Sequence, residues 1–146
     1  MENESLQKQA QQTIEEARMV LPGIQALFGF QLIAIFNARF EELTLHEQYL
    51  HFSALLLVAL AIALIMAPAA YHRIVERGKV SHFFIDLASR LIASAMVPLM
   101  LAIALEVLLV GRVIFGRNWT SVAGAGGTLA VYTLLWFVYP LLKRNR

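Results

Sequence analysis

The chain has 146 residues, 59% of them hydrophobic and only 15% charged, with a formal net charge of +2 at pH 7 and a mean hydropathy of +0.65. A soluble domain carries about 25% charged and about 45–50% apolar residues, and a body this small cannot bury so much apolar surface. An ordinary water-soluble core is therefore excluded, and with no cysteine in the chain so are disulfides, thiolate metal sites and thiol catalysis.

In chain order, residues 1–18 (MENESLQKQAQQTIEEAR) are polar and acidic, unlike the basic start of a cleavable signal peptide, so the first apolar segment is expected to stay as an anchor. Residues 5–18 read as a short surface helix, polar nearly all round, with Pro22 and Gly23 loosening the way into the first span. About 20 apolar residues in a helix cross the hydrocarbon core, and four stretches qualify: 19–36, 52–71, 91–110 and 121–142. None alternates with period two, which rules out a barrel, and only a helix satisfies its own backbone in lipid. The loop before the second span carries Thr44 and Glu47 at the spacing of a capping box. Gly78 is the turn of the loop VERGKVSHF, and SVAGAGGT opens the fourth span. No internal repeat and no domain linker stands out. The expected fold class is an all-α membrane protein, one four-helix transmembrane domain over 19–142, preceded by a polar cytoplasmic segment 1–18 and followed by a basic tail 143–146.

Orientation follows from the basic residues. Lys8, Arg18, Arg73, Arg77, Lys79, Arg90, Lys143, Arg144 and Arg146 lie on one side, against Arg39, Arg112 and Arg117 on the other. Nine against three places both termini in the cytoplasm. Tyr49 and Trp119 then fall at the outer interface, Tyr71 and Tyr139 at the inner one.

Two stretches, VLPGIQALFGFQLIAIFNARFEEL (residues 20–43) and HFSALLLVALAIALIMAPAAYHRI (residues 51–74), carry a resemblance. The spacing of LPGIQ, FGFQL, a following F-x-x-L, a histidine opening the second span, APAAYHR closing it and SRL at residues 89–91 is similar to a family of small bacterial membrane proteins of unknown function. It covers roughly residues 18–112. Members are often catalogued as sodium:proton antiporters, so the resemblance implies transport of Na+ or H+.

The polar residues inside the spans are the candidates. Glu106 stands in LAIALEVLLVG with no basic residue within four positions. It lies about 7 Å outward of the span's midpoint at 1.5 Å per residue. An ionised acid there costs several kcal/mol unless it is protonated, paired or wetted. One reading is a proton- or cation-binding group supported by Gln31, by the backbone at Gly124, Gly126 and Gly127, and by the Ser94 carbonyl that Pro98 leaves without a helical donor. The other is a neutral acid bonding a neighbouring helix or reaching Arg112. At the cytoplasmic end, His72, Arg73, Asp86 and Arg90 form a second polar cluster; Asp86 and Arg90 have the i,i+4 spacing that favours pairing, and histidine is the residue type that could sense or pass protons. A plain positive-inside anchor is the alternative there. Gln25 and Gln31 point about 120° apart on a regular helix and are expected to bond other helices separately. Gly124, Gly126 and Gly127 mark a packing face, within the bundle or between protomers. Paired histidines on facing helices can hold haem, but His51 and His72 sit at opposite ends of one span, and His46 and His82 fall in loops. No catalytic, zinc or phosphate-loop motif and no basic array for nucleic acid is present. The expectation is a non-enzymatic cation or proton transporter without a cofactor, embedded in lipid and assembled as a homo-oligomer or with a partner membrane protein. A scaffold or accessory subunit is the rival.

Overall fold

The computed structural model describes residues 2–76 and 80–144, so Gly78, Arg77, Lys79 and Arg146 lie outside the described residues. Helix α1 (Glu2–Ala34) is followed by a short α2 (Ala38–Glu41), then α3 (Leu45–Tyr71), which runs on into a π turn at His72–Glu76. Helix α4 (His82–Phe115) leads to α5 (Trp119–Thr133), a second π turn (Leu134–Val138) and α6 (Tyr139–Arg144). Four helical stretches are long and apolar enough to cross a membrane: Glu4–Ala34, Leu45–Val75, His82–Phe115 and Trp119–Arg144. They run up and down, so both termini share one end; the opposite end, with the 35–44 and 116–118 turns, is called the far end below. Phe30, Phe36, Phe52, Leu56 and Ile114 are exposed along the outside, where a hydrocarbon solvent accepts them.

The inner seam is built from size rather than hydropathy. On α3 the buried positions are Glu47, His51, Ala54, Val58, Ala61, Ile65 and Pro68, alternating steps of four and three, the 3.5-residue period of a coiled coil. Helix α4 answers with buried Ala88, Ala95, Ala102 and Leu109, each seven residues from the last. Ala54, Ala61, Ala88 and Ala102 are wholly inaccessible. Without a hydrophobic drive between helices in lipid, close backbone approach over small residues is what holds such a pair together.

Helix α1 continues through Pro22, so the amino-terminal helix and the first span form one helix of 33 residues. It corrects one expectation, since residues 5–18 are not polar nearly all round: Leu6 and Ala10 are buried, and Ala10 and Ile14 pack with Phe84 and Ala88 of α4. The stripe continues through Ala17, Leu21, Ile24 and Phe28 against the core and ends on buried Gln31. Pro22 removes one bond, to the carbonyl of Arg18, and packing on both sides of it outweighs that loss.

The π turns stand beside prolines. At the end of α3, four residues past Pro68, the His72 N–H is shared between the carbonyls of Ala69 and Pro68. In the fourth span the Tyr139 N–H reaches back five residues to the Leu134 carbonyl, which widens the helix just where the ring of Pro140 would meet the carbonyl four residues earlier.

Two glycines shape the α4–α5 turn. Gly116 ends α4 with φ 74° and ψ −170°, a combination that only glycine adopts readily. At Gly111 a Cβ would sit 3.1 Å from both Cα and Cβ of Ser121, so the helices touch backbone to backbone. Gly111→Val is expected to splay them and destabilise the protein by about 1–3 kcal/mol, read as a lower thermal midpoint in detergent.

Candidate functional site

Near the far end, three residues from three helices meet. Gln31 lies in the last turn of α1, His51 in the second turn of α3, and Glu106 in α4 one turn past Ala102. Gln31 Nε2 donates to Glu106 Oε1 at 2.9 Å, and His51 Nδ1 lies 3.1 Å from the same oxygen. His51 Nε2 is 2.9 Å from the main-chain carbonyl oxygen of Gln31. Gln31 and His51 are buried, at 3% and 5% exposure, while the Glu106 side chain keeps 20%.

These contacts decide where protons sit. A carbonyl oxygen only accepts, so His51 Nε2 carries a hydrogen and donates it to Gln31. Nδ1 and Glu106 Oε1 at 3.1 Å would set lone pair against lone pair if both were bare, so one proton lies between them. Whether it is drawn as imidazolium and carboxylate or as imidazole and carboxylic acid, the pair is neutral overall and holds one removable proton. Gln31 Oε1 is buried without a hydrogen-bond partner among the described residues, an acceptor left unspent beside the acid, and such an orphan costs about 1–3 kcal/mol.

The surroundings hold the pair still and give it a way out. Phe40 of α2 sets its ring edge-on to His51, centroids 5.4 Å apart. The Asn37 side chain caps α2, and Gln48 Nε2 bonds the carbonyls of Phe40 and Leu43, which fastens the α1–α3 connection over the cluster. An open cleft of about 310 Å³ borders His51 and Glu106, between Phe40, Leu43 and Val113. A second cleft of about 330 Å³, which also touches Arg39, Leu43 and Val113, continues outward over Thr44, Glu47, Arg112 and Arg117. The Thr44–Glu47 capping box is formed as its spacing predicts.

Of the residues singled out in the sequence, Gln31 and Glu106 are thus in contact. Arg112 does not reach Glu106; it faces Glu47 Oε1 at 3.5 Å, because the first turn of α3 lies beside the last turn of α4. Nor does the fourth span bring its backbone to the acid. A Cβ at Gly124 would meet Val107 at 3.7 Å, and Gly126 and Gly127 have nothing within 4 Å, so any packing by those two lies outside this chain. Gln25 is exposed and bonds no neighbouring helix within the described residues. At the other end His72 sets its ring at a tilt to Phe84, 5.1 Å between centroids, while Arg73, Asp86 and Arg90 are exposed. No ion pair joins Asp86 to Arg90 among the described residues, as two solvated side chains gain little from meeting. His46 and His82 open helices rather than lying in loops. His51 is the residue that sequence reasoning missed as a partner for Glu106. Its place in the four-and-three series through Ala54, Val58 and Ala61 was the available signal. Among the described residues, no group of three or more His, Asp or Glu is placed to hold a metal ion.

Fold and site together define a helical membrane bundle with a buried histidine–carboxylate pair. A family model described as "Family of unknown function (DUF6328)" matches residues 1–140, and the chain belongs to that family. The match takes in the amino-terminal helix and most of the fourth span, beyond the 18–112 stretch whose motifs carry the resemblance. No curated protein and no solved structure matches the chain.

Proposed function

We propose that this protein is a proton-linked transporter of the bacterial inner membrane, with both termini in the cytoplasm and the far end outside. The observation that carries the reading is the single proton required between His51 Nδ1 and Glu106 Oε1 at 3.1 Å, beside an open cleft. When that proton leaves through the cleft, His51 keeps its Nε2 hydrogen on the Gln31 carbonyl and Glu106 keeps a full negative charge. The Glu106 carboxylate and the unspent Gln31 Oε1 are then hard oxygen donors, which suit a sodium ion. One cation in for one proton out leaves the charge of the buried site unchanged, the requirement that low dielectric imposes. A bundle this small has little room for two gates, which favours a homo-oligomer or a partner membrane protein.

The test is flux in proteoliposomes under an imposed pH or sodium gradient. Protein-dependent proton movement that Glu106→Gln abolishes supports the reading, and equal flux from both proteins removes Glu106 from it. A second reading, a scaffold or accessory subunit, is favoured by the fourth span, of which only 6% is buried within the chain and whose Gly126 and Gly127 stand open. Absence of flux together with a membrane protein copurifying in fixed ratio would establish that alternative.

A further inference from the structure

We propose that the far-end cleft is a binding site for a phosphate group, held by Arg39, Arg112 and Arg117. The three basic residues of the far end, scattered at positions 39, 112 and 117 in the sequence, all line this one cleft of about 330 Å³. Two carboxylates share it, Glu42 and Glu47. Glu47 is largely committed: its Oε2 accepts from the Thr44 N–H at 2.9 Å and the Thr44 hydroxyl at 2.8 Å. Only its Oε1 faces arginine, at 3.5 Å from Arg112 Nη1 and 3.5 Å from Arg117 Nε. Those distances are well beyond the roughly 2.7–2.9 Å of a close charge-assisted bond. Arg117 also donates to the Thr44 hydroxyl at 3.3 Å, and the Arg39 side chain has no partner among the described residues. Each guanidinium offers five N–H donors in a fork that matches the spacing of phosphate oxygens, and most of these donors are unspent. Three cations against two acids leave one positive charge in excess, with Arg39 the cation that faces neither acid in an ion pair among the described residues.

The depth agrees. Tyr49 and Trp119 are exposed at the same end, and such rings sit at the headgroup level of a bilayer. The phosphate can therefore belong to a lipid headgroup or be free in solution; the recognising chemistry is the same. The site is separate from the Glu106 pair: Arg39 borders both clefts, but among the described residues no arginine forms a hydrogen bond or ion pair with His51 or Glu106. Its failure therefore shows independently of proton flux.

The experiment uses the whole protein in maltoside micelles, which carry no phosphate. Inorganic phosphate is titrated in with ³¹P line broadening as the readout, and phosphatidylglycerol retention is followed by native mass spectrometry. Arg39→Gln is expected to weaken binding roughly tenfold or more, the size of one lost charge-assisted bond, whereas Glu42→Gln tightens it about two- to threefold. Both residues are exposed, so neither change threatens the fold, and their opposite signs separate charge from damage. Arg90→Gln at the other end leaves binding unchanged. An effect on phosphate alone assigns a free anion, and an effect on phosphatidylglycerol alone assigns a headgroup. If neither ligand binds the wild type more tightly than it binds Arg39→Gln, the site is overturned.

Discussion

Glu106→Gln is expected to fold as well as the wild type and to transport no protons. The amide fits the site with its NH₂ in the place of Oε1, the atom that both Gln31 and His51 touch. One hydrogen goes to His51 Nδ1, which is free to accept because the hydrogen of that ring is fixed on Nε2 by the Gln31 carbonyl, and the other goes to Gln31 Oε1, unpartnered in the wild type, once the Gln31 amide turns over. Each contact of the trio is kept with the Gln31 bond reversed, so the thermal midpoint in detergent should shift little. What disappears is the removable proton. Proton flux in proteoliposomes should fall at least about a hundredfold, the usual scale for removing a group that takes up and releases a proton in the rate-limiting event. Glu106→Asp keeps a proton but withdraws it by one methylene, and is expected to retain partial flux. A Glu106→Gln protein that melts far below the wild type would contradict the proton placement itself.

His51→Leu should do the reverse and damage stability first. It strips the half-buried Glu106 of its partner for the shared proton and leaves the Gln31 carbonyl without the donor now 2.9 Å away, on a buried residue. Unmatched groups of this kind cost about 2–4 kcal/mol together, a fall readable in chemical or thermal unfolding of the detergent-solubilised protein. The pair need not be a net stabiliser, since apolar replacement of both members of a buried ion pair is often neutral or better. The double variant His51→Leu, Glu106→Leu removes the uncompensated acid but leaves the Gln31 carbonyl and Nε2 unmatched, and is therefore expected to regain part of the lost stability while remaining without flux. If the two single losses simply add in the double variant, the residues are not coupled through a proton.

Number, class and approximate extent of the spans were legible from hydropathy, because crossing lipid demands long apolar helices and little else. Which face of each helix points inward was not. In a soluble bundle the buried stripe is the apolar one; here Leu56 on the outside and Val58 on the inside of α3 are equally oily. The inward mark is size and spacing, alanine at 54 and 61 packed with alanine at 95 and 102, and a scan for apolar repeats passes over it. The same blindness hid His51, a single polar residue on that seam. Gln31 and Glu106 were found because each is polar in an oily run, whereas nothing local says that Arg112 turns toward Glu47 and not toward Glu106. The amino-terminal helix was misjudged for a related reason: Leu6, Ala10 and Ile14 make too thin a line to outweigh the glutamines and glutamates around them.

Gln31 grips two helices at once, its side chain on α4 and its main chain on α3, so α1 is fastened at this end by a double hook on one residue. Sliding α1 by a single residue would carry that residue about 1.5 Å along the axis and swing it about 100°, releasing both hooks together. If the protein transports protons as proposed, such a displacement of α1 would free the proton-bearing pair from both ties in one step.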